Sequence, residues 1–178
     1  MKKSELVKMS GISLALDDYN DLFSDFDPRK YGERALSDDF LAEAKRATRE
    51  RDAGPIELIL MIPNAKRNHN DETIIKKRLR DHFRKHHTVL HNEKNKILYR
   101  GLAFTIVGIA IMTLAAYYFF DKAVYDLVSK FLLVLLEPAG WFLFWEGLDQ
   151  MIFEAKKKTP DLGFYEKMTK CEIKFIGY

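Results

Sequence analysis

The chain has 178 residues, 47% of them hydrophobic and 31% charged, with a net charge of +3 and a single cysteine. That length accommodates one small folded domain beside a membrane segment and no more. The lone Cys171 excludes an intrachain disulfide framework and fits a reducing compartment. The charge is unevenly spread: residues 1–65 carry a net −3, residues 66–100 a net +7 with all five histidines, and residues 101–178 a net −1.

In chain order, Met1-Lys-Lys-Ser-Glu-Leu-Val-Lys-Met9 has charges but no apolar core, so no cleavable signal peptide is expected there. Gly11-Ile-Ser-Leu-Ala-Leu-Asp17 alternates, with Ile12, Leu14 and Leu16 on one face, and reads as a strand. Asp17 to Arg34 contains Asp27-Pro28 and Tyr31-Gly32 and reads as a loop with one turn of helix. From Ser37 the chain has an N-cap, acids in the first turn and bases in the last, which predicts a helix to about Arg51, broken by Gly54-Pro55. Ile56 to Ile62 is the strongest strand, ended by Pro63-Asn64.

A helix begins near Asn70-Asp71-Glu72, with Ile75, Leu79, Phe83, His86 and Leu90 recurring at three and four. No glycine or proline occurs from Asn64 to Arg100, so this helix is free to run on, although Thr88-Val89 and Asn92/Asn95 weaken the join. Gly101 to Phe120 is then twenty residues without a charge. At 1.5 Å per residue they cover roughly 30 Å, the hydrocarbon thickness of a bilayer. Ala123 to Leu148 is a second apolar segment, marked by Asp126, Lys130, Glu137 and Glu146. The two make a helical hairpin joined near Phe120-Asp121-Lys122. Lys94, Lys96 and Arg100 before it and Lys156, Lys157 and Lys158 after it place both termini of a multi-pass protein in the cytoplasm; a bacterial inner membrane is what the resemblance given below implies. Cys171 to Ile176 alternates again. The expected fold is a small cytosolic α/β domain of about three strands and two helices (1–96), a transmembrane hairpin (97–153), and a tail whose C-terminal strand returns to the sheet (154–178).

Glu137 falls close to the bilayer midplane, where a carboxylate costs on the order of 2.5–3.5 kcal/mol on insertion scales and needs a partner or water. At 100° per residue Asp126 and Lys130 lie about 20° either side of it, which makes one polar stripe. Several copies around an axis would turn that stripe into a pore-lining ring of carboxylates. Pro138 and Gly140 are the natural hinge. Against the pore stands a packed, non-conducting bundle with Glu137 protonated or hydrogen-bonded. Glu146 points the other way and reads as an interfacial charge. Gly101, Thr105, Gly108 and Ala115 line one face of the first span, a surface for close helix packing.

Lys66, Arg67, Lys76, Lys77, Arg78, Arg80, Arg84 and Lys85 form the candidate anion site. Residues 76–85 precede Gly101 by sixteen to twenty-five positions, roughly 24–38 Å along a continuous helix. Screening at physiological salt acts over about 8 Å, so headgroups are served by Lys94, Lys96 and Arg100 and the upstream bases suit nucleic acid or a nucleotide. A solvated charged face is the alternative. His82/His86 and His87/His91 have metal-compatible spacing but no confirming ligand, and Asp25/Asp27 read as turn residues rather than a transferase metal pair. With no nucleophile–base pair, phosphate loop or dinucleotide fingerprint, no cofactor, resident metal or enzymatic activity is expected.

Phe23-Ser-Asp-Phe-Asp-Pro-Arg29, Arg34-Ala-Leu-Ser-Asp-Asp-Phe-Leu41 and the hairpin after Arg100 give the chain a layout that resembles the membrane effectors of bacterial anti-phage systems that operate beside a nucleotidyltransferase, in particular the channel subunit of the Hailong type. The resemblance implies a homo-oligomeric channel, a tetramer among the options, under a cytosolic crown. It implies that the crown binds a single-stranded DNA signal made by the partner enzyme, that bound DNA keeps the channel shut, and that its loss opens the pore and arrests growth. A membrane-anchored scaffold that binds nucleic acid or lipid without a pore is the alternative reading, and an enzyme the least supported.

Overall fold

A computed structural model describes residues 11–49, 57–120 and 126–178. The N-terminal residues read as lacking a signal peptide, the Gly54-Pro55 break and the Asp121-Lys122 turn lie outside them. The chain is mostly helical, with one small three-stranded sheet and two long apolar helices. In order it forms β1 (Ile12–Ala15), a single 3₁₀ turn (Tyr19–Leu22), α1 (Asp38–Arg49), β2 (Glu57–Ile62), α2 (His69–Phe120), α3 (Leu127–Asp149), a π turn (Gln150–Glu154), a short helical stretch (Ala155–Lys157), α4 (Thr159–Lys170) and β3 (Glu172–Gly177).

All three strands are parallel, in the order β1-β2-β3, with Ile12 opposite Leu58, Leu58 opposite Ile173 and Leu60 opposite Phe175. A central parallel strand is buried on both faces and reads as a continuous apolar run. Leu58 to Ile62 are all buried accordingly. Leu58, Leu60 and Ile62 join Ile12, Ile173 and Phe175 in the main core, while Ile59 and Met61 form a small separate cluster with Ile176. Phe40 and Ala44 of α1, Ile75, Leu79 and Phe83 of α2, and Phe164 and Met168 of α4 complete the main core. Three helices therefore pack on one sheet face, as right-handed parallel crossovers of a sequentially ordered sheet require. α4 is an element the sequence reading did not place. Its first turn is acidic and its last basic, and Lys45 of α1 pairs with Asp161 at its start.

Two compact units result. One holds the described chain to Thr88 together with Asp161–Tyr178, and the other is Val89–Pro160. The second unit is thus an excursion inside the crossover between β2 and β3. α2 contributes His69–Thr88 to the first unit and the rest of its length to the second. The predicted weak join near Thr88 and Asn92 does not interrupt it, because those side chains sit in a helix already nucleated on both sides.

Both α2 and the helix from Lys130 to Lys157 are long and apolar enough to cross a membrane. Only 17% and 11% of their most apolar windows are buried within the chain, the reverse of what a soluble core helix shows.

Candidate functional site

The second unit is built on glycine. A Cβ on Gly101 would stand 2.7 Å from the carbonyl oxygen of Gly147, and one on Gly147 would stand 2.5 Å from the carbonyl oxygen of Gly101. Seven residues along, a Cβ on Gly108 would meet the Phe144 nitrogen at 2.6 Å and the Gly140 carbonyl oxygen at 2.7 Å. Backbone cannot yield to such contacts as a flexible side chain can. The two helices touch main chain to main chain at both levels because no Cβ intervenes. Thr105 and Ala115 are buried in the same seam, so the small-residue face read from the first span is its packing surface. The reciprocal half on α3, Gly140 and Gly147, was not recognised as such. Gly140, expected as part of a hinge, packs against Gly108 and Met112, and α3 continues unbroken through Pro138.

Asp126, Lys130 and Glu137, the predicted stripe, are all exposed within the chain. Asp126 is the residue before the first turn of α3 and makes no side-chain capping bond. Glu137 lines a groove of about 380 Å³ with Met112, Ala115, Ala116, Leu133, Val134 and Trp141. No other side chain in that lining can ionise. Glu137 has no hydrogen bond or ion pair among the described residues, so a single copy leaves this carboxylate unanswered on an apolar surface.

At the other end of the hairpin a polar chain ties α2 to the π turn. Arg100 Nε donates to Gln150 Oε1 at 2.8 Å, and Gln150 Nε2 donates to Glu146 Oε1 at 2.9 Å. Gln150 is 6% exposed. Glu146, read above as an interfacial charge, is therefore a structural acceptor. The widened turn that begins at Gln150 is a geometry found mostly as single turns, often at functional positions.

The eight candidate bases separate into two sets. Arg67 donates to both oxygens of Glu72, at 2.8 and 3.0 Å. Glu72 is buried and also receives the Tyr19 hydroxyl at 3.2 Å. Burial alone would raise the Glu72 carboxyl, but the Arg67 guanidinium overrides it and holds it below its ordinary value. Arg78 Nε donates to the Arg34 carbonyl at 2.9 Å, Lys66 Nζ to the Asp17 carbonyl at 3.0 Å, and Lys76 Nζ lies 5.7 Å from the centre of the Phe175 ring. These four bind the first unit together. Lys77, Arg80, Arg84 and Lys85 are exposed and form no ion pair among the described residues. Lys77, Arg80 and Arg84 fall within about 60° of one another on the helix, centred roughly 130° from its buried stripe of Ile75, Leu79 and Phe83, with Arg80 nearest the stripe.

Of the two histidine pairs with metal-compatible spacing, His82/His86 is engaged otherwise. The His82 and His86 rings stack at 4.2 Å, and Tyr165 of α4 stacks on His86 at 5.4 Å. Burial, then the nearby His86, Arg78 and Lys85 charges, lower His82 to about 4. Among the described residues no three or more His, Cys, Asp or Glu converge as metal ligands. Asp27 serves its loop: it accepts from Arg29 Nη2 at 2.7 Å and from the Ala35 N–H at 2.7 Å, and Arg29 first, then the Ala35 amide, holds its carboxyl far below the usual range. Compared with known protein families, curated proteins and solved structures, the chain matches none of them.

Proposed function

We propose that the chain is one subunit of a homo-oligomeric ion channel of a bacterial inner membrane, crossing twice with both termini in the cytoplasm and gated by an anionic polymer or nucleotide. The observation that carries this reading is Glu137: an exposed, unpartnered carboxylate in the middle of an apolar helix. In hydrocarbon that group requires water or charge from elsewhere, and neighbouring copies supply both when the stripe of Asp126, Lys130 and Glu137 turns toward a shared axis. The glycine seam fixes the rotation of α3 against α2 and so fixes where the stripe points.

The ligand reading rests on Lys77, Arg80, Arg84 and Lys85, which remain free to meet phosphates once the other four bases are assigned to the fold. α2 carries both this face and the first span, so one element serves ligand binding and pore. The layout resemblance adds the rest of the proposal: single-stranded DNA as the anion, a nucleotidyltransferase as its source, closure by bound DNA, and growth arrest during phage infection when it is lost.

The test is binding of a labelled single-stranded oligonucleotide to the purified full chain across a salt series. Four phosphate contacts per subunit give a log–log slope of about −3. A slope shallower than about −1 contradicts the ligand reading. The glycine seam by itself would equally hold a simple tethering hairpin, and a monomeric mass in detergent would favour that scaffold reading.

A further inference from the structure

Phe26 is 98% exposed although the loop that carries it is firmly held. Asp27 accepts from Arg29 through both carboxylate oxygens, from Nε at 2.9 Å and from Nη2 at 2.7 Å among others. Arg34 donates Nε and Nη2 to the Ser24 carbonyl at 3.1 and 2.9 Å and Nη1 to Asn20 Oδ1 at 2.7 Å. Phe23 is buried and stacks on Tyr31 at 5.3 Å. The backbone on both sides of Phe26 is pinned, and its ring cannot fold into the core that Phe23 occupies. A pre-ordered exposed aromatic binds with little further loss of entropy and loses unfavourable hydration when covered.

Its surroundings indicate what covers it. Residues 17–33 carry a net charge of −4, with Asp25 immediately before Phe26. The loop lies on one flank of α2: Ile74 is 3.5 Å from where a Gly32 Cβ would be, and Arg78 bonds the Arg34 carbonyl. The opposite flank carries Lys76 and Arg80, with Lys76 beside Phe175 of the edge strand β3. At 100° per residue, Ile74/Arg78 and Lys76/Arg80 point roughly 160° apart around the helix. An acidic aromatic knob on one flank and, on the other, the exposed Arg80 beside the half-buried Lys76 are complementary surfaces of a head-to-tail contact, the kind that closes into rings.

We infer that Phe26 docks on the Arg80 flank of α2 in a second copy of this chain, its ring against the guanidinium and Asp25 facing the same base. Arginine over an aromatic face is favourable, more so once water is excluded. The inference rests on the oligomeric reading above and supplies its cytosolic contact; Arg80 is then taken up between copies, Lys77, Arg84 and Lys85 are left for phosphate, and the expected salt slope falls from about −3 to about −2.

The experiment places the photocrosslinker p-benzoylphenylalanine at position 26 of the full chain in detergent and irradiates it. Because Phe26 is exposed, the replacement does not touch the core. The expected product is a ladder of covalently joined chains whose linked peptides map to residues 76–88 of the neighbour. Asp25→Arg, facing Arg80, reduces the ladder at least about fivefold, and adding Arg80→Glu restores it. Links to detergent alone, to another peptide or to an unrelated protein overturn the docking, as does a ladder indifferent to both charge changes. If the wild-type mass is oligomeric but no ladder forms, the docking falls and the pore reading stands. A monomeric mass removes both. A ladder from a chain that is silent in liposomes removes only the pore.

Discussion

Alanine in place of Gly108 and alanine in place of Gly163 are the same chemical change with opposite expected signs. In an exposed helix interior, glycine to alanine stabilises by up to about 1 kcal/mol through backbone entropy. Gly163 in α4 has nothing within 4 Å of an added Cβ, so Gly163→Ala is expected to give about 0.5–1 kcal/mol. At Gly108 the added Cβ lies 2.6 Å from the Phe144 nitrogen and 2.7 Å from the Gly140 carbonyl oxygen. Both atoms are backbone, so the helices must separate by roughly 0.7–0.8 Å to reach ordinary contact. A gap of that size forfeits a quarter to a half of each facing contact, and overpacking of this kind costs about 1–3 kcal/mol. After the propensity gain, Gly108→Ala is expected to destabilise the hairpin by about 1–2 kcal/mol, and Gly108→Ile by more. Equilibrium unfolding in mixed micelles, read from the fluorescence of Trp141 and Trp145 in the same unit as Gly108, measures it, while Gly163→Ala, which lies in the first unit, is read from the far-ultraviolet circular dichroism of the urea transition. If Gly108→Ala unfolds no earlier than wild type while Gly163→Ala is stabilised as expected, the main-chain seam is refuted.

Three further outcomes concern the first unit. Glu72→Ala leaves the Arg67 guanidinium and the Tyr19 hydroxyl without their acceptor; Arg67 is a quarter exposed, so the loss is about 2–3 kcal/mol rather than the 3–5 of a fully buried pair, measured as an earlier urea midpoint. His82 is depressed to about 4 from an ordinary 6.5, which disfavours its charged form in the fold. Its contribution to stability is complete above pH 6.5 and is lost as the pH falls through that window. His82→Phe should therefore flatten the fall in urea midpoint between pH 7 and pH 5, and an undiminished fall would contradict the burial argument. Cys171 is buried, its thiol pushed up to about 11 by burial, so maleimide labelling at pH 7.5 should be slow in the native chain and rapid in urea; fast native labelling would contradict the packing of β3.

The parts of the fold that depend on local pattern were legible. Alternation placed β1 and β3, the uninterrupted apolar run placed β2, and the recurrence of Ile75, Leu79 and Phe83 fixed the buried face of α2. The parallel pairing was not legible, since one-sided alternation is equally compatible with antiparallel neighbours. α4 escaped because Lys-rich sequence, Pro160 and Gly163 weaken its helical signal, and Phe164 and Met168 are the only positions it buries fully. At the candidate site, composition located the basic stretch but could not divide it. Arg67 is structural because Glu72 and Tyr19 converge on it, and Tyr19 lies some fifty residues away in sequence. The glycine seam was half visible: spacing exposed it on α2, whereas nothing in the sequence shows that Gly140, read beside Pro138 as a hinge, also meets Gly108 across the pair.

Cation flux from liposomes that contain the purified full chain, compared between wild type and Glu137→Gln, tests the central claim most directly. The account predicts a cation-selective leak from wild type that loses its selectivity in the variant, because the ring of charge is gone while the helix pair is intact. Liposomes that stay sealed with wild type, or a variant that conducts the same ions in the same ratio, would contradict it.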